Sequence, residues 1–206
     1  MPNAVFEVIF DLETQKWFDE TGTTDPTDLG VSLVSLYTRR LDPSFQEIEG
    51  QLLSFWESEL EQMWKYFQSA DRIIGFNSLN FDVPVLKPYA PTGFAKLPHF
   101  DIMDHVKQAF GRRVSLNKIA KDTLGNVKTD SGANAVLYWK KGDKYSLAKL
   151  QSYCEADVRL TRDLYDYGLK HDHLKFTDHW NNPRTIAVDF SYPPTAAASS
   201  TQPSLF

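Results

Sequence analysis

Cysteine is nearly absent: Cys154 is the only one in 206 residues. That excludes a disulfide framework within the chain and a cysteine-built zinc site, and a reduced, cytoplasmic setting is the expectation. No apolar run approaches the roughly 18 residues that a membrane-crossing helix needs. The opening Met1-Pro2-Asn3 has no basic stretch followed by an apolar one, so no secretory signal is expected. Positive charge is also short, with 22 Lys and Arg against 27 Asp and Glu and a net charge of −5. This balance argues against a protein that coats nucleic acid through a basic surface. It leaves room for an enzyme that grips a few nucleotides in a metal-lined cleft. A hydrophobic fraction of 42% is ordinary for a globular chain, and the length suits one domain with trimmings.

The β-branched and aromatic run Val5-Phe6-Glu7-Val8-Ile9-Phe10 predicts a strand, and 30–37 predicts an antiparallel neighbour. Between them, 17–28 is polar and turn-rich and reads as a loop. A short third strand is expected near 45–48. Residues 57–70 have helical spacing, with Leu60, Met63, Trp64 and Phe67 on one stripe and Ser54 or Ser58 as the cap. A short buried strand follows at 72–77, then a short helix at 81–89 with Pro84 in its first turn. Another strand at 100–104 leads into a helix near 106–110. The spacing predicts a helix over 116–124, with Ser115 as its cap and Gly125 as its stop. A loop from Thr129 gives way to a short helix ending near Gly142. The last long helix is expected over 146–170, then a hairpin from 174–176 and 185–190. From Ser191 the composition turns to Pro, Ala, Ser and Thr, which reads as a disordered tail after a domain over 1–190. The order of elements suggests an α/β layer fold.

The chain is organised around Asp11-Leu12-Glu13-Thr14. Strand alternation sends Asp11 and Glu13 to one face, where two carboxylates repel unless a hard divalent cation sits between them. A strand that ends in a polar turn explains the pair equally well. Asp82, in Asn77-Ser78-Leu79-Asn80-Phe81-Asp82, stands just past a buried strand, either as a further ligand or as an acidic residue favoured at a helix N-terminus. Tyr153 and Asp157 are spaced i, i+4 on one helix face beside the apolar stripe. Taken singly they fit a core aromatic and a solvated charge. Cys154 reads as a small core residue. His99, His105 and His179 have no metal-ligand spacing, and His171 and His173 read as surface residues near a helix end.

In combination, D-x-E on the first strand, N-x-x-x-F-D after a later one and Y-x-x-x-D on a late helix resemble the DEDD superfamily of 3′–5′ exonucleases in its tyrosine-containing branch. Within that branch the chain is most similar to the proofreading domains of family B DNA polymerases and to stand-alone exonucleases of that type. The likeness covers about residues 4–170 and extends to Asp101-Ile102-Met103-Asp104-His105-Val106 and the helix at 116–124. It implies a ribonuclease H-like mixed sheet flanked by helices. It also implies Asp11, Glu13, Asp82 and Asp157 as ligands of two Mg²⁺ or Mn²⁺ ions, with Tyr153 orienting the attacking water. Leu12, Thr14, Asn77 and Phe81 would hold the terminal nucleotide, although Phe81 equally suits core packing. Position 152 is Ser, so the histidine alternative to Tyr153 is missing.

Carboxylates suit this chemistry because hard cations take oxygen ligands, and two such ions can serve both sides of a phosphoryl displacement. A tyrosine, with a reference pKa of about 10, positions water better than it deprotonates it. Arg112, Arg113, Lys140 and Lys141 are candidates for phosphate contacts, although such charge pairs are commonly solvated faces. The terminal Gln202-Pro203-Ser204-Leu205-Phe206 looks like the short peptides that dock bacterial sliding clamps, with Leu205 and Phe206 as apolar anchors and Gln202 at the pocket edge. The resulting expectation is a metal-dependent 3′–5′ exonuclease acting on DNA. The alternatives are an exoribonuclease, a nucleic-acid-binding module with a silent site, and a scaffold in which the motif order is coincidence.

Overall fold

The computed structural model describes residues 4–125 and 132–192. Gln202, Leu205 and Phe206 lie outside the described residues, as does the start of the loop expected from Thr129. Strand β1 (Val5–Thr14) carries on past the apolar run, because β2 (Val31–Leu41) pairs with it antiparallel from Val5 opposite Leu41 to Thr14 opposite Val31. Asp11 and Glu13 therefore sit inside a hydrogen-bonded ladder. The connection between the strands, expected as a loop, contains the one-turn helix α1 (Phe18–Thr21) and a short 3₁₀ turn at Pro26–Asp28. Glu20 reaches back to accept from the Trp17 backbone N–H at 2.9 Å, which closes α1 locally.

The third strand, β3 (Glu47–Trp56), is ten residues long, well beyond the expected 45–48. It is an edge strand, and its exposed Glu47, Glu49 and Gln51 look like turn residues when they are charged and polar guards of an open edge. The stripe at 57–70 is buried as expected but is not one helix. A 3₁₀ segment at Glu57–Gln62 precedes α2 (Trp64–Gln68). Its start is closed by Glu59 accepting from the Trp56 N–H at 3.1 Å, rather than by Ser54 or Ser58.

On the other side of β1, β4 (Arg72–Gly75) and β5 (His99–Asp101) run parallel, giving the sheet order β3-β2-β1-β4-β5. The short helix α3 (Asp82–Leu86) lies between β4 and β5. After β5 come α4 (Ile102–Phe110), α5 (Leu116–Leu124), α6 (Gly132–Lys141) and the 28-residue α7 (Lys144–His171). Asp143 caps α7 by accepting from the Tyr145 and Ser146 N–H groups, both at 3.0 Å. The hairpin β6 (His173–Thr177) and β7 (Pro183–Ala187) closes the domain. This is the ribonuclease H-like mixed sheet flanked by helices that the resemblance implied.

Strand alternation divides the core. Val8, Phe10 and Leu12 pack with Met63, Phe67 and Val85 on one face of the sheet. Ile9 and Ile74 pack with Val106, Ile119, Val158 and Leu164 on the other. The start of β1 is tied down by a buried polar network. Arg39 donates to Glu7 at 2.7 Å and to both carboxylate oxygens of Asp166, and Tyr165 donates to Glu7 at 3.0 Å. Tyr192 also donates to Glu7. Arg72 donates to the Tyr165 hydroxyl at 2.8 Å and to the carbonyls of Phe190 and Ser191 at 2.7 and 2.9 Å. Ser191 and Tyr192, just past the boundary at 190 read from composition, are thus held on the body of the domain. Arg72→Ala leaves three acceptors without their charged donor, which costs about 3 kcal/mol. For a chain of this size that lowers the melting temperature by about 6–12 °C, measurable by circular dichroism.

Candidate active site

Three elements meet at the far end of β1. The strand contributes Asp11 and Glu13 on the face covered by α7. The start of α3 contributes Asp82, and the first half of α7 contributes Tyr153, Cys154 and Asp157. Glu13, Asp82 and Asp157 are buried, at 8%, 4% and 4% exposure, an uncommon setting for carboxylates. Ligand atoms of Asp11, Glu13 and Cys154 all lie within 4.8 Å of one another. The Cys154 thiol donates to the Asp11 carbonyl at 3.5 Å. Cys154 is wholly buried, as expected of a small core residue, but it also forms a wall of the acidic cluster.

Burial and the neighbouring charges shift the protonation of the group. The carboxyl of Asp82 is pushed up to about 7, chiefly by burial, with further upward pushes from the charges of Asp101 and Asp157, against the opposing pull of the backbone N–H groups of Asp82 and Leu12. The phenol of Tyr153 is raised far above its ordinary value by burial, by the charges of Asp157, Glu13 and Asp11, and by its hydrogen bond to Asp157. It stays protonated and serves as a donor. Burial, then Asp11 and Glu13, likewise keep the Cys154 thiol protonated. These couplings show that the carboxylates from β1, α3 and α7 share one electrostatic environment.

A divalent cation fits this set. The donors are chiefly carboxylate oxygens, and the charges acting most strongly on Asp82 are negative, so a cation would relieve the strain that raises its carboxyl. Asp11 and Glu13 lie close enough together to share one such ion.

The other predicted residues fall out differently. The Leu12 side chain is packed in the core on the opposite face of β1, so only its backbone faces the site. Thr14 is buried, and its hydroxyl donates to the Lys16 carbonyl at 3.0 Å. Phe81 is half-buried and meets the exposed Phe18 edge-on, with ring centres 6.3 Å apart. Asn77 takes a left-handed backbone (φ 64°), and its side-chain oxygen is buried with no hydrogen-bond partner. Arg112 lies over the ring of Trp180 at 5.4 Å, on the hairpin side of the domain. Lys140 instead reaches the segment that follows Thr14, pairing with Glu20 and lying 4.2 Å over the Trp17 ring.

Sequence reading did not assign a role to Asp101. Its carboxylate accepts from the backbone N–H of Asn77 at 2.7 Å, Leu79 at 3.0 Å and Met103 at 2.9 Å. One buried side chain thereby caps α4 and shapes the loop that delivers Asp82. The local signal was a polar residue between a strand and a helix, the ordinary mark of an N-cap.

Because its carboxyl is raised in the native state, Asp82 stabilises the metal-free fold at low pH, and that contribution is lost as pH rises from about 4 through about 7. In EDTA, Asp82→Asn should therefore melt several degrees above the wild type at pH 8. The gain should shrink steadily toward pH 5, as read by differential scanning fluorimetry.

Comparison with known proteins agrees with this architecture. The model of the RNase_H_2 family, in the RNase H superfamily, matches residues 8–168, from within β1 almost to the end of α7. No curated protein matches the chain. The matched span includes β1, α3 and the part of α7 that carries Tyr153, Cys154 and Asp157, and the chain belongs to the RNase H superfamily of nucleases, which generally act on nucleic acid with divalent metals.

Proposed function

We propose that the protein is a 3′–5′ exonuclease of the DEDD type in its tyrosine branch, with DNA as its substrate. What supports this reading is that Glu13, Asp82 and Asp157 are buried and that the charges of Asp11, Glu13 and Asp157 act on Tyr153, and that of Asp157 on Asp82, across three separate elements. The four carboxylates would hold two Mg²⁺ or Mn²⁺ ions, which would supply Lewis acidity and an acidified water. Tyr153 keeps its proton and orients the attacking water as a hydrogen-bond donor. Asn77, Thr14 and Phe81, with the backbone of Leu12, hold the terminal nucleotide.

The test is a 5′-labelled single-stranded DNA and the matching RNA, incubated with Mn²⁺, Mg²⁺ or EDTA. A metal-dependent ladder that shortens from the 3′ end is the expected result, faster on DNA. Asp11→Asn and Asp157→Asn should lower the rate by at least about a hundredfold, and Tyr153→Phe by a smaller factor. Faster shortening of the RNA makes the protein an exoribonuclease, and intact strands in every lane sink the reading.

The terminal peptide is a separate proposal. Gln202, Leu205 and Phe206 dock a bacterial sliding clamp and raise the local concentration of the enzyme at DNA. The full chain should co-elute with a clamp on gel filtration, and a chain lacking 202–206 should not. Co-elution of both, or of neither, retires the idea.

A further inference from the structure

A cleft of about 310 Å³ lies far from the acidic cluster, where the start of β1 and the end of β2 meet α2. Phe6 from β1, Thr38 and Arg40 from β2, Glu49 from β3, and Lys65 and Tyr66 from α2 line it. Phe6 belongs to the face of β1 that carries Val8, Phe10 and Leu12, opposite to Asp11 and Glu13. It also stands five residues before Asp11, roughly 17 Å along the strand. The cleft and the candidate active site therefore occupy opposite faces and opposite ends of β1. Its volume falls at the lower end of the roughly 300–1,000 Å³ range of small-ligand sites.

Rings hold both cations of the cleft in place. The Arg40 guanidinium lies 5.1 Å from the centre of the Phe6 ring, and the Lys65 ammonium 5.0 Å from that of Tyr66. The rings are themselves fixed. The Phe6 N–H donates to the Asp71 carboxylate and its carbonyl accepts from the Asp71 N–H, both at 2.8 Å. Tyr66 packs on Phe55 with ring centres 6.2 Å apart. Glu49 approaches Arg40 only to 3.6 Å, and the two side chains are 73% and 51% exposed. Such pairs contribute about 0–1 kcal/mol, so an anion can replace Glu49 at little cost. Arg39 also borders the cleft, but its guanidinium is engaged by Glu7 and Asp166. Two positioned cations backed by rings, in a cleft of this size, suit a small molecule with a phosphate at one end and a flat body at the other.

We propose that this cleft binds a nucleoside 5′-monophosphate, with its phosphate between Arg40 and Lys65 and its base against the rings of Phe6 and Tyr66. A mononucleotide has the required build, and it is what an exonuclease releases at each cut, so the enzyme works in its presence. The choice of ligand rests on the exonuclease reading, whereas the cleft and its charges do not. The site is separate from the acidic cluster, so a released nucleotide can occupy it while the next one is cut.

The test uses the full chain in EDTA, with calorimetric titration of thymidine 5′-monophosphate, thymidine and inorganic phosphate. The monophosphate should bind at least about tenfold more tightly than either fragment. Arg40→Glu with Lys65→Glu should weaken it at least about tenfold, without moving the melting temperature. Phe6→Leu should lower affinity for the monophosphate more than for inorganic phosphate, which separates the base contact from the charge. Asp11→Asn should leave binding unchanged, because the active site lies elsewhere. Equal affinity for either fragment overturns the proposal, as does unchanged affinity in the charge-reversed protein or loss of binding in Asp11→Asn. So does a twelve-residue oligothymidylate that uses the same two cations and binds at least about tenfold more tightly than the monophosphate, since the face is then a strand contact. Cleavage by the wild type is scored separately in Mn²⁺. A protein that cuts but fails the titration loses the cleft and keeps the chemistry, whereas one that binds as described but never cuts keeps the cleft and loses the nuclease reading.

Discussion

Along one face of β1 the side chains alternate Glu7, Ile9, Asp11 and Glu13, and α7 lies antiparallel across all four. Tyr165 meets Glu7 at one end, and Cys154 meets Asp11 further along. Four strand residues span roughly 14 Å and eleven helical residues roughly 16 Å, so the two elements keep register over that distance. This packing decides which strand carboxylates face the helix and how deeply. A shift of one residue on β1 would turn Asp11 and Glu13 into the opposite core and bring Phe10 and Leu12 out to meet α7.

The two ends of the seam treat buried charge in opposite ways. Glu7 has a guanidinium from Arg39 and hydroxyls from Tyr165 and Tyr192, with Arg72 bracing Tyr165 behind it. That end is a closed structural network, and it anchors the chain as far as Tyr192. At the other end burial raises the carboxyl of Asp82, backbone N–H groups of Asp82 and Leu12 pull it back, and the only charges acting on it are the negative ones of Asp101 and Asp157. A desolvated carboxylate without a compensating positive charge is costly. The local fold tolerates it because Asp101 organises the approach, with Asn77 bent into a left-handed turn and Asp82 set at the head of α3. At the same turn a side chain on Gly75 would fall 2.4 Å from the Ser78 hydroxyl, so the strand has to end there without one.

Helix α7 also reaches a second surface feature, the groove lined by Gln15, Lys16, Glu20 and Trp139. Helix α7 supplies Tyr153 and Asp157 to the cluster and Leu147 to the groove wall, so one rigid element sets the distance between them. Trp139 enters from α6, braced by Trp56 at the end of β3.

Much of this was legible in the residues themselves. Alternation along β1 put Asp11 and Glu13 on one face, and the i, i+4 spacing put Tyr153 and Asp157 together, because both patterns follow from backbone periodicity alone. The span 116–124 and its glycine stop were readable because both are local signals, although the Ser115 side chain, expected to cap the helix, makes no capping hydrogen bond. Beyond that reach lay everything that depends on a distant partner. The length of β3 came from its ladder with β2, not from its own polar residues. Leu12 was assigned to nucleotide contact, yet its side chain belongs to the core, since neighbours on a strand face opposite ways. The service of Asp101 to a loop more than twenty residues earlier, and the meeting of Lys140 with Trp17 and Glu20, have no local sequence signature at all. The sequence by itself determined which side chains share a face and where helices stop, because those depend on neighbours along the chain. Only the tertiary structure decided which faces meet, how much water they lose and therefore which carboxylates are pressed together, because those depend on packing across the sheet.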